Sequence, residues 1–334
     1  MEIKTAIQNL ATYKKSLQVK TAIHQFLKNK MYLEIDLPVL SPALIPESYV
    51  EIFETEFRYM DQKEKLYLTP SPELFLKRLI VEGVGDCYYL GKSFRNSEPN
   101  SPKHTPEFTM LELYKVGKDY RFIAEEVMEM LRFIAKELSG RSESITYQGN
   151  TVSLSKFEEF TVAEAFEKYA HISEKELFNH KLFIEKAHKK GYVTEGFGYE
   201  ELFSQMYSHE VEPNLGMNGY PTFLFDYPVV FAALSTPNKD GKTSQRFEFY
   251  IRGMELGNCY SELQDWKLQQ ERLETEENLR KQSGKIQHPS DWGFVESLKK
   301  GLPDCSGIAI GVDRLAMIFA DVEDIEKIRL ISID

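Results

Sequence analysis

Five charged residues stand within or beside segments of the sequence that otherwise read as β-strands. They are Arg95, Glu112, Glu255, Glu262 and Arg314. A charge that folding buries needs a partner, so such residues either pair with one another or receive a ligand. A single charge of this kind is most simply explained by an internal Arg–Glu ion pair. Five together favour a site for charged ligands.

The spacing of two of these carboxylates is informative. Glu255 and Glu262 lie in the stretch ELGNCYSE, an odd number of residues apart, so one regular strand would point them to opposite faces. A bulge or turn is therefore expected between them. Carboxylates that converge at such a place suit a hard divalent cation bound with phosphate oxygens.

Several common sites are missing from the sequence. It contains no GxxxxGK[ST], GxGxxG, HExxH or GxSxG motif. Its three cysteines, Cys87, Cys259 and Cys305, are far apart and lack CxxC spacing, so we interpret them as buried thiols rather than as a disulfide framework or metal site.

The elements that must position these residues alternate between two periodicities. Helical spacing predicts helices at 16–30, with Ser16 as N-cap, and at 71–81, 119–138 and 266–282, with a short one from Ser290 to Gly301. Alternation predicts strands at 87–94, 107–116, 221–228 and 246–258, and 307–319 reads as a strand turning into a helix. Clustered strands beside long helices predict an α+β fold, an antiparallel sheet flanked by helices. We expect a single domain over 1–334 with a helical insertion at about 141–220.

Composition limits the class of protein. The 334 residues include 41 Lys+Arg and 52 Asp+Glu, a net charge of −11, without any block of basic residues. This balance weighs against nucleic acid as the main partner. No apolar run is long enough for a membrane span, and no signal peptide is visible, so the sequence predicts a cytoplasmic protein with no membrane partner.

Several motifs together resemble the class II aminoacyl-tRNA synthetases. FRNSE at 94–98 is similar to their motif 2, GIAIGVDRLAMIF at 307–319 to motif 3, and MYLEIDLPVL at 31–40 to motif 1. The lysine branch is the closer likeness, since SPELFLKRL, HTPEFTMLELY, PTFLFDYP, GMELGNCYSEL and GLPDCSGIAIGVDRL occur in the expected order across almost the whole chain.

The resemblance implies ATP and Mg²⁺ as cofactors and two steps, formation of an aminoacyl adenylate and transfer of its acyl group. Arg95, Arg314 and Glu255 are the expected catalytic residues. Arg95 would contact the α-phosphate and the substrate carboxylate, Arg314 the γ-phosphate, and Phe108 would stack on adenine. Glu255 and Glu262 would hold the metal ion. The expected ATP-binding set also includes Asn96, Glu98, His104, Thr105, Leu256 and Gly311.

The same resemblance implies a pocket for a lysine-like diamino acid. Ser71 and Glu73 would receive one amine, while Glu112, Tyr114 and Glu262 would bind the distal ammonium group. Asn258 would orient the substrate, and Ala309 would form part of the pocket floor.

The position of motif 1 leaves no room before it for the anticodon-binding domain of a synthetase. In this respect the chain resembles the elongation factor P–lysine ligases, which join a β-lysine to a lysine of elongation factor P. Ser71 and Ala309 favour that branch, whereas Gly257 and Ser261 are like the synthetases. The expected partners are elongation factor P and a second copy, through motif 1, with tRNA unlikely.

Other functions stay open at this point. A tRNA-related enzyme that forms lysyl adenylate would use the same site, as would a ligase that loads a carrier. Motif 2 reads Arg95-Asn96-Ser97-Glu98, one residue longer than the family spacing. A catalytically inactive, synthetase-like regulatory subunit is therefore the third alternative.

Overall fold

The structure is a computed structural model that describes residues 2–96 and 101–333. Its strands are β1 (Ile3–Thr5), β2 (Leu33–Glu34), β3 (Leu40–Ser41), β4 (Phe53–Tyr59), β5 (Gln62–Leu68), β6 (Cys87–Phe94), β7 (Glu107–Val116), β8 (Ser144–Tyr147), β9 (Asn150–Ser153), β10 (Glu158–Thr161), β11 (Thr222–Pro228), β12 (Thr243–Ile251), β13 (Met254–Ser261), β14 (Cys305–Gly311) and β15 (Ile331–Ile333). Its α-helices are α1 (Leu10–Asn29), α2 (Glu73–Val81), α3 (Tyr120–Ser139), α4 (Val162–Ala165), α5 (Glu174–Leu177), α6 (His180–Lys189), α7 (Tyr199–Met206), α8 (Trp266–Gln282), α9 (Trp292–Leu298) and α10 (Val312–Ala320).

The chain folds as two compact units. The first unit comprises Met1–Asp119 with Glu262–Asp334, and the second comprises Tyr120–Ser261. The expected helical insertion at about 141–220 lies within the second unit, where α4 to α7 follow the three short strands β8 to β10.

The first unit is built on strands β14, β7, β6 and β2, in that order, with β2 parallel to β6 and the other pairs antiparallel. Strand β7 is central, and its residues from Thr109 to Tyr114 are buried on both faces. Helix α1 covers one face, where Lys20 contacts Thr109. Because side chains alternate along a strand, Glu112 and Tyr114 point to the opposite face.

The second unit has a sheet in the order β10, β11, β12 and β13, with β10 parallel to β11. Four aromatic rings that contact one another form part of its core: Phe223, Phe225, Phe247 and Phe249. A second apolar cluster joins the helices α4 to α7 around Phe166, Phe183 and Phe203. These aromatic side chains fix the sheet and its helices by burial of apolar surface.

The α+β prediction is confirmed, since each unit carries a mainly antiparallel sheet with helices beside it. The predicted strands at 87–94 and 107–116 and the helix at 266–282 have the expected bounds. The expected Ser16 N-cap is wrong: helix α1 begins at Leu10, and the Ser16 hydroxyl donates to the Tyr13 carbonyl within the helix.

The alternating segment 246–258 is a hairpin rather than one strand. Strands β12 and β13 are joined at Arg252 and Gly253, both with positive φ angles, 53° and 68°. Such a two-residue turn with both φ values positive matches the twist of the strands it joins. The expected irregularity after Glu255 is present, because the register shifts so that Tyr250 pairs with Glu255 but Phe249 pairs with Gly257.

In the described part of the chain, none of the helices has the length and apolar character needed to cross a lipid bilayer.

Candidate active site

A buried group of carboxylates forms the centre of the candidate site, all of it in the first unit. Glu73 begins α2 and Glu112 lies on β7. Glu262 directly follows β13, and its backbone N–H donates to the carbonyl of Cys305, the first residue of β14, at 3.0 Å. Lys77, one helical turn after Glu73, joins two of them. Its Nζ lies 2.5 Å from Glu73 Oε1 and 2.5 Å from Glu262 Oε2.

Glu112 is held by two hydroxyl groups. Tyr114, two residues further along β7 and so on the same face, donates to Glu112 Oε1 at 2.7 Å. Ser71 donates to Glu112 Oε2 at 2.8 Å and also accepts the N–H of Glu73 at 3.2 Å. The sequence-predicted residues Ser71, Glu73, Glu112, Tyr114 and Glu262 are therefore brought together.

Burial dominates the electrostatics of this pocket. It raises the pKa of Glu112 to about 8, with a further contribution from the Glu73 charge. Burial also raises the pKa of Glu262, although Lys77 acts against it. The pKa of Lys77 stays above its ordinary value because Glu262 and Glu73 outweigh the effect of burial. Three carboxylates thus face a single ammonium, an arrangement that favours binding of further cationic groups.

The floor of the pocket comes from β14. Gly307 pairs with Tyr114 and Ala309 pairs with Glu112 across the β14–β7 ladder. A Cβ at Gly307 would lie 2.4 Å from the Tyr114 ring and 2.9 Å from Glu262 Oε1, so only glycine fits there. The Ala309 methyl shares a sheet face with its partner Glu112, which places it at the pocket as expected.

The two glycines of β14 give a matched test. We expect Gly307→Ala to raise the KM for the amino acid and to destabilise the fold by about 1–3 kcal/mol, since the methyl overpacks the Tyr114 contact. Gly311 is different, because a Cβ there would meet only the Arg314 side chain, at 3.8 Å. Gly311→Ala should fold normally and raise the KM for ATP alone. Thermal melts with steady-state kinetics check both variants, and equal effects on the two KM values would contradict these assignments.

Arg95 lies at the end of β6, where its backbone N–H donates to the Pro106 carbonyl at 2.9 Å. The guanidinium carbon is 5.5 Å from the centroid of the Phe108 ring. Its Nε is buried and has no hydrogen-bond partner among the residues described. A buried donor without a partner is costly, and an anionic ligand would satisfy it. Glu98 lies outside the described residues.

Arg314 lies in the first turn of α10 and contacts the segment that follows motif 2, at Lys103 and His104. Its Nη2 donates to His104 Nε2 at 2.5 Å and its Nε donates to the Lys103 carbonyl at 3.2 Å. Because a guanidinium can only donate, His104 Nε2 is the acceptor in this contact, and His104 Nδ1 lies 2.7 Å from Ser101 Oγ. The structure therefore brings Arg314 and His104 together.

Thr105 is held by the protein itself. Its hydroxyl donates to the Glu107 carbonyl at 2.9 Å and accepts from Arg329 Nη2 at 2.8 Å. The same Arg329 nitrogen lies 3.5 Å from Asp313, whose carboxylate accepts the Thr109 N–H. Arg329 thus connects Thr105, in the segment that follows motif 2, to Asp313 of motif 3. The expected contact of Thr105 with ATP stays a prediction.

Asn96 is fixed in a similar way. Its side chain donates to the Ile52 carbonyl at 3.2 Å, and its backbone forms a bridge with Glu51. Buried Arg280 lies 3.5 Å from the Glu51 carboxylate and donates to the carbonyls of Val50 and Glu47, at 2.7 Å each. Asn96 therefore has a structural contact in addition to its predicted role with ATP.

The remaining predicted residues lie on β13, in the second unit. Leu256 is the extra residue of the bulge between Glu255 and Gly257. Asn258 accepts a hydrogen bond at its Oδ1 from Arg246 Nε, at 3.2 Å. The roles of Glu255, Leu256 and Asn258 in binding rest on the family resemblance and stay predictions.

A polar network of the second unit orients Asn258. Arg246 also donates to Glu248 Oε1 at 2.7 Å, and the other oxygen of Glu248 accepts from Tyr227 at 2.6 Å and from Tyr250. Burial, followed by the Glu248 charge, raises the pKa of both tyrosines well above its ordinary value. They are therefore hydrogen-bond donors at neutral pH.

Glu262 faces an ammonium in this structure. Lys77 places its Nζ against this carboxylate, and both side chains are almost completely buried. Among residues 2–96 and 101–333, no three His, Cys, Asp or Glu side chains are arranged to hold a metal ion. The expected metal-binding roles of Glu255 and Glu262 rest on the family resemblance and stay predictions, and the contact with Lys77 supports the second expected role of Glu262, in an ammonium-binding pocket.

Sequence reasoning missed four basic residues that organise this region: Lys77, Arg246, Arg280 and Arg329. Two of them had a local signal: Lys77 lies four residues from Glu73 on one helix face, and Arg246 lies two residues from Glu248 on one strand face. The carboxylate partners of Arg280 and Arg329 in Glu51 and Asp313 are not local in the sequence.

Comparison with known proteins defines the class. The family model of the class II tRNA synthetases for D, K and N matches residues 5–332. The chain belongs to this family.

Within the family, the chain is similar to a lysine–tRNA ligase from Carboxydothermus hydrogenoformans. The two are 35% identical over 315 residues. The match covers 93% of this chain but 63% of that relative, so the chain spans less than two thirds of its length.

Proposed function

We propose that this protein is an ATP-dependent, AMP-forming ligase that activates a lysine-like diamino acid, (R)-β-lysine, and transfers it to a lysine side chain of elongation factor P. The buried carboxylate pocket of Glu73, Glu112 and Glu262 carries the proposal. It has an excess of negative charge, and Tyr114 and Ser71 fix its geometry. Two ammonium groups of one substrate would complement that charge.

The chemistry proceeds in two steps. In the first, an oxygen of the substrate carboxylate attacks the α-phosphorus of ATP and pyrophosphate leaves. In the second, an acceptor amine attacks the carbonyl carbon of the adenylate, AMP leaves and the amine loses a proton. Neither step needs a strong general base, so positioning and charge neutralisation account for most of the catalysis.

Residues of the first unit would supply these functions. Arg95 would use its buried, unpartnered Nε for the α-phosphate and the substrate carboxylate. Arg314 would bind the γ-phosphate together with His104, which it already contacts. Phe108, beside Arg95, would stack on adenine. Class II synthetases use ATP with Mg²⁺, and we retain both as cofactors with Glu255 and Glu262 as the proposed protein ligands of the metal ion.

Two residues support the β-lysine assignment over α-lysine. Ser71 and Ala309, which resemble the elongation factor P ligases, both adjoin Glu112: Ser71 by a hydrogen bond and Ala309 as its cross-strand partner. The added hydroxyl fixes the Glu112 carboxylate, and the added methyl narrows the floor beside it. Ser71 also accepts the N–H of Glu73 and belongs with it to the set proposed to receive the amine nearer the carboxylate, the amine whose position differs between α- and β-lysine.

Acyl transfer tests this function directly. The chain is incubated with ATP, Mg²⁺, (R)-β-lysine and elongation factor P, and intact-mass spectrometry follows the acceptor. We expect one β-lysyl group on one lysine, absent when ATP is omitted. An unmodified acceptor, with the same chain forming the adenylate, would contradict the proposed acceptor but not the activation step.

A tRNA-related enzyme that forms lysyl adenylate is the second candidate. It is favoured by the similarity to a lysine–tRNA ligase and by Gly257 and Ser261, which are like the synthetases. The two candidates differ in the acceptor, so charging of tRNA with α-lysine distinguishes them from modification of a protein.

We also propose that the protein is a homodimer joined through motif 1. Exposed apolar side chains are concentrated near the start of the chain and around that motif: Ile3, Ile7, Leu10, Leu17, Met31 and Leu33. Association would remove them from water.

Light scattering tests this proposal. At micromolar concentration we expect the mass of two chains. A single-chain mass at that concentration would contradict it.

A further inference from the structure

Lys77 lies on the buried face of α2, among Leu74, Leu76 and Ile80. Its side chain is only 2% exposed, yet it carries a charge to which the proposed reaction assigns no role. The nearby Phe294 ring, 6.0 Å from Nζ, adds to the apolar surroundings.

Stability does not explain this ammonium. Removing charges from water costs several kcal/mol per ion, and replacing a buried ion pair by apolar side chains of similar volume is often neutral or stabilising. A leucine or methionine would fill the same space on α2. The charge is therefore expected to serve the two groups it touches, Glu73 and Glu262.

Lys77 contacts both carboxylates in the same manner. It meets one oxygen of each, Oε1 of Glu73 and Oε2 of Glu262, at 2.5 Å. Without a cation between them, two buried carboxylates repel each other strongly, because a low dielectric screens little. With Lys77 in place, the three carboxylates would carry two negative charges in excess once all of them are ionised, which the ammonium groups of a bound substrate favour.

We propose that Lys77 is a positioning residue of the amino-acid pocket. Its ammonium holds Glu73 and Glu262 in the arrangement in which each receives one ammonium group of a diamino acid. In the complex, with all three carboxylates ionised, it leaves two negative charges, which match the two ammonium groups of that substrate. This inference rests on the proposed function and adds the residue that makes the pocket selective for two amines.

The first test is Lys77→Met, which keeps the length of the side chain but removes its charge. In ATP–pyrophosphate exchange, we expect the KM for the preferred diamino acid to rise at least about tenfold, equivalent to about 1.4 kcal/mol. The kcat should change less than about threefold and the KM for ATP should not change. Lys115→Met is the control, since Lys115 is ion-paired with Asp86 at 2.7 Å outside the pocket, and it should leave both KM values unchanged.

Two further measurements separate positioning from a structural role. Lys77→Ala should regain affinity for the diamino acid when propylammonium is added, but not when propanol is added, because only the amine restores the charge. If Lys77→Met does not fold, Lys77→Gln is measured in its place, because glutamine keeps a hydrogen-bond donor without the charge. It should show the same rise in KM.

The outcomes distinguish this inference from the proposed function. A wild-type chain that activates a diamino acid, beside a folded Lys77→Met with unchanged KM, overturns the Lys77 proposal alone. Equal rescue by propanol and propylammonium overturns it as well. A wild-type chain that activates no diamino acid removes the proposed function, and the Lys77 proposal with it.

Discussion

Replacing Arg314 with alanine is expected to lower the rate of ATP–pyrophosphate exchange by about 10²–10³-fold, the range for loss of one preorganised donor to developing charge. The side chain sits at the N-terminus of α10, where it donates to His104 and to the Lys103 carbonyl. Its function is electrostatic, so the fold should persist. Exchange kinetics and thermal melts measure the two effects separately.

Two variants control this experiment. Arg314→Lys keeps the charge but loses the planar pair of donors, and we expect an intermediate rate. Arg58→Ala removes an exposed arginine of strand β4 that is ion-paired with Glu56, and we expect no change. Full exchange activity in Arg314→Ala would remove Arg314 from the candidate active site.

The second large effect is expected for Glu112→Gln, which should raise the KM for the diamino acid by about 100-fold, close to 2.7 kcal/mol. Tyr114 and Ser71 both donate to this carboxylate, so an amide would leave one donor facing its NH₂ group. Selectivity against norleucine, which lacks the distal amine, should fall at the same time.

The pH dependence of the same KM gives an independent check. With the pocket empty, the pKa of Glu112 is raised to about 8, so near pH 6 the group is mostly protonated. An ammonium beside it favours the ionised form and lowers this pKa on binding. Binding therefore releases a proton below pH 8, and the KM should fall by at least about tenfold between pH 6 and pH 8.

This dependence should be weaker in Glu112→Gln but should persist in part, because burial raises the pKa of Glu262 to about 8 as well. Glu126→Gln is the matched control, because Glu126 is also buried but lies on α3, in the second unit. A Glu112→Gln variant with wild-type KM and wild-type pH dependence would contradict the assignment of Glu112 to the substrate ammonium.

Much of the fold was predictable because it rests on local patterns. Strands β6 and β7 and helix α8 have the predicted bounds, since alternation and capping fix them. The β12–β13 hairpin was not recognised, because a two-residue turn at Arg252 and Gly253 keeps the alternation of the pattern intact. The start of α1 was misjudged because residues 10–15 contain no helix breaker, and Ser16 fits inside the helix.

The site was predictable in its residue types but not in its pairings. Motifs placed Glu73, Glu112 and Glu262 together, as the structure does. The pairing of Ala309 with Glu112 depends on the register between β14 and β7, which lie almost 200 residues apart, and no local pattern encodes it. The contact of Lys77 with Glu262 is non-local too, since the two residues lie far apart in the sequence.

Amino-acid-dependent ATP–pyrophosphate exchange, without tRNA, tests the central claim most directly. The substrates are the standard amino acids and both enantiomers of β-lysine. The carboxylate pocket predicts exchange with diamino acids alone, and Ser71 and Ala309 beside Glu112 predict a preference for (R)-β-lysine. A preference for α-lysine would support the tRNA-related candidate instead. Exchange with a monoamino acid, or with none of these substrates, would contradict the account of the pocket.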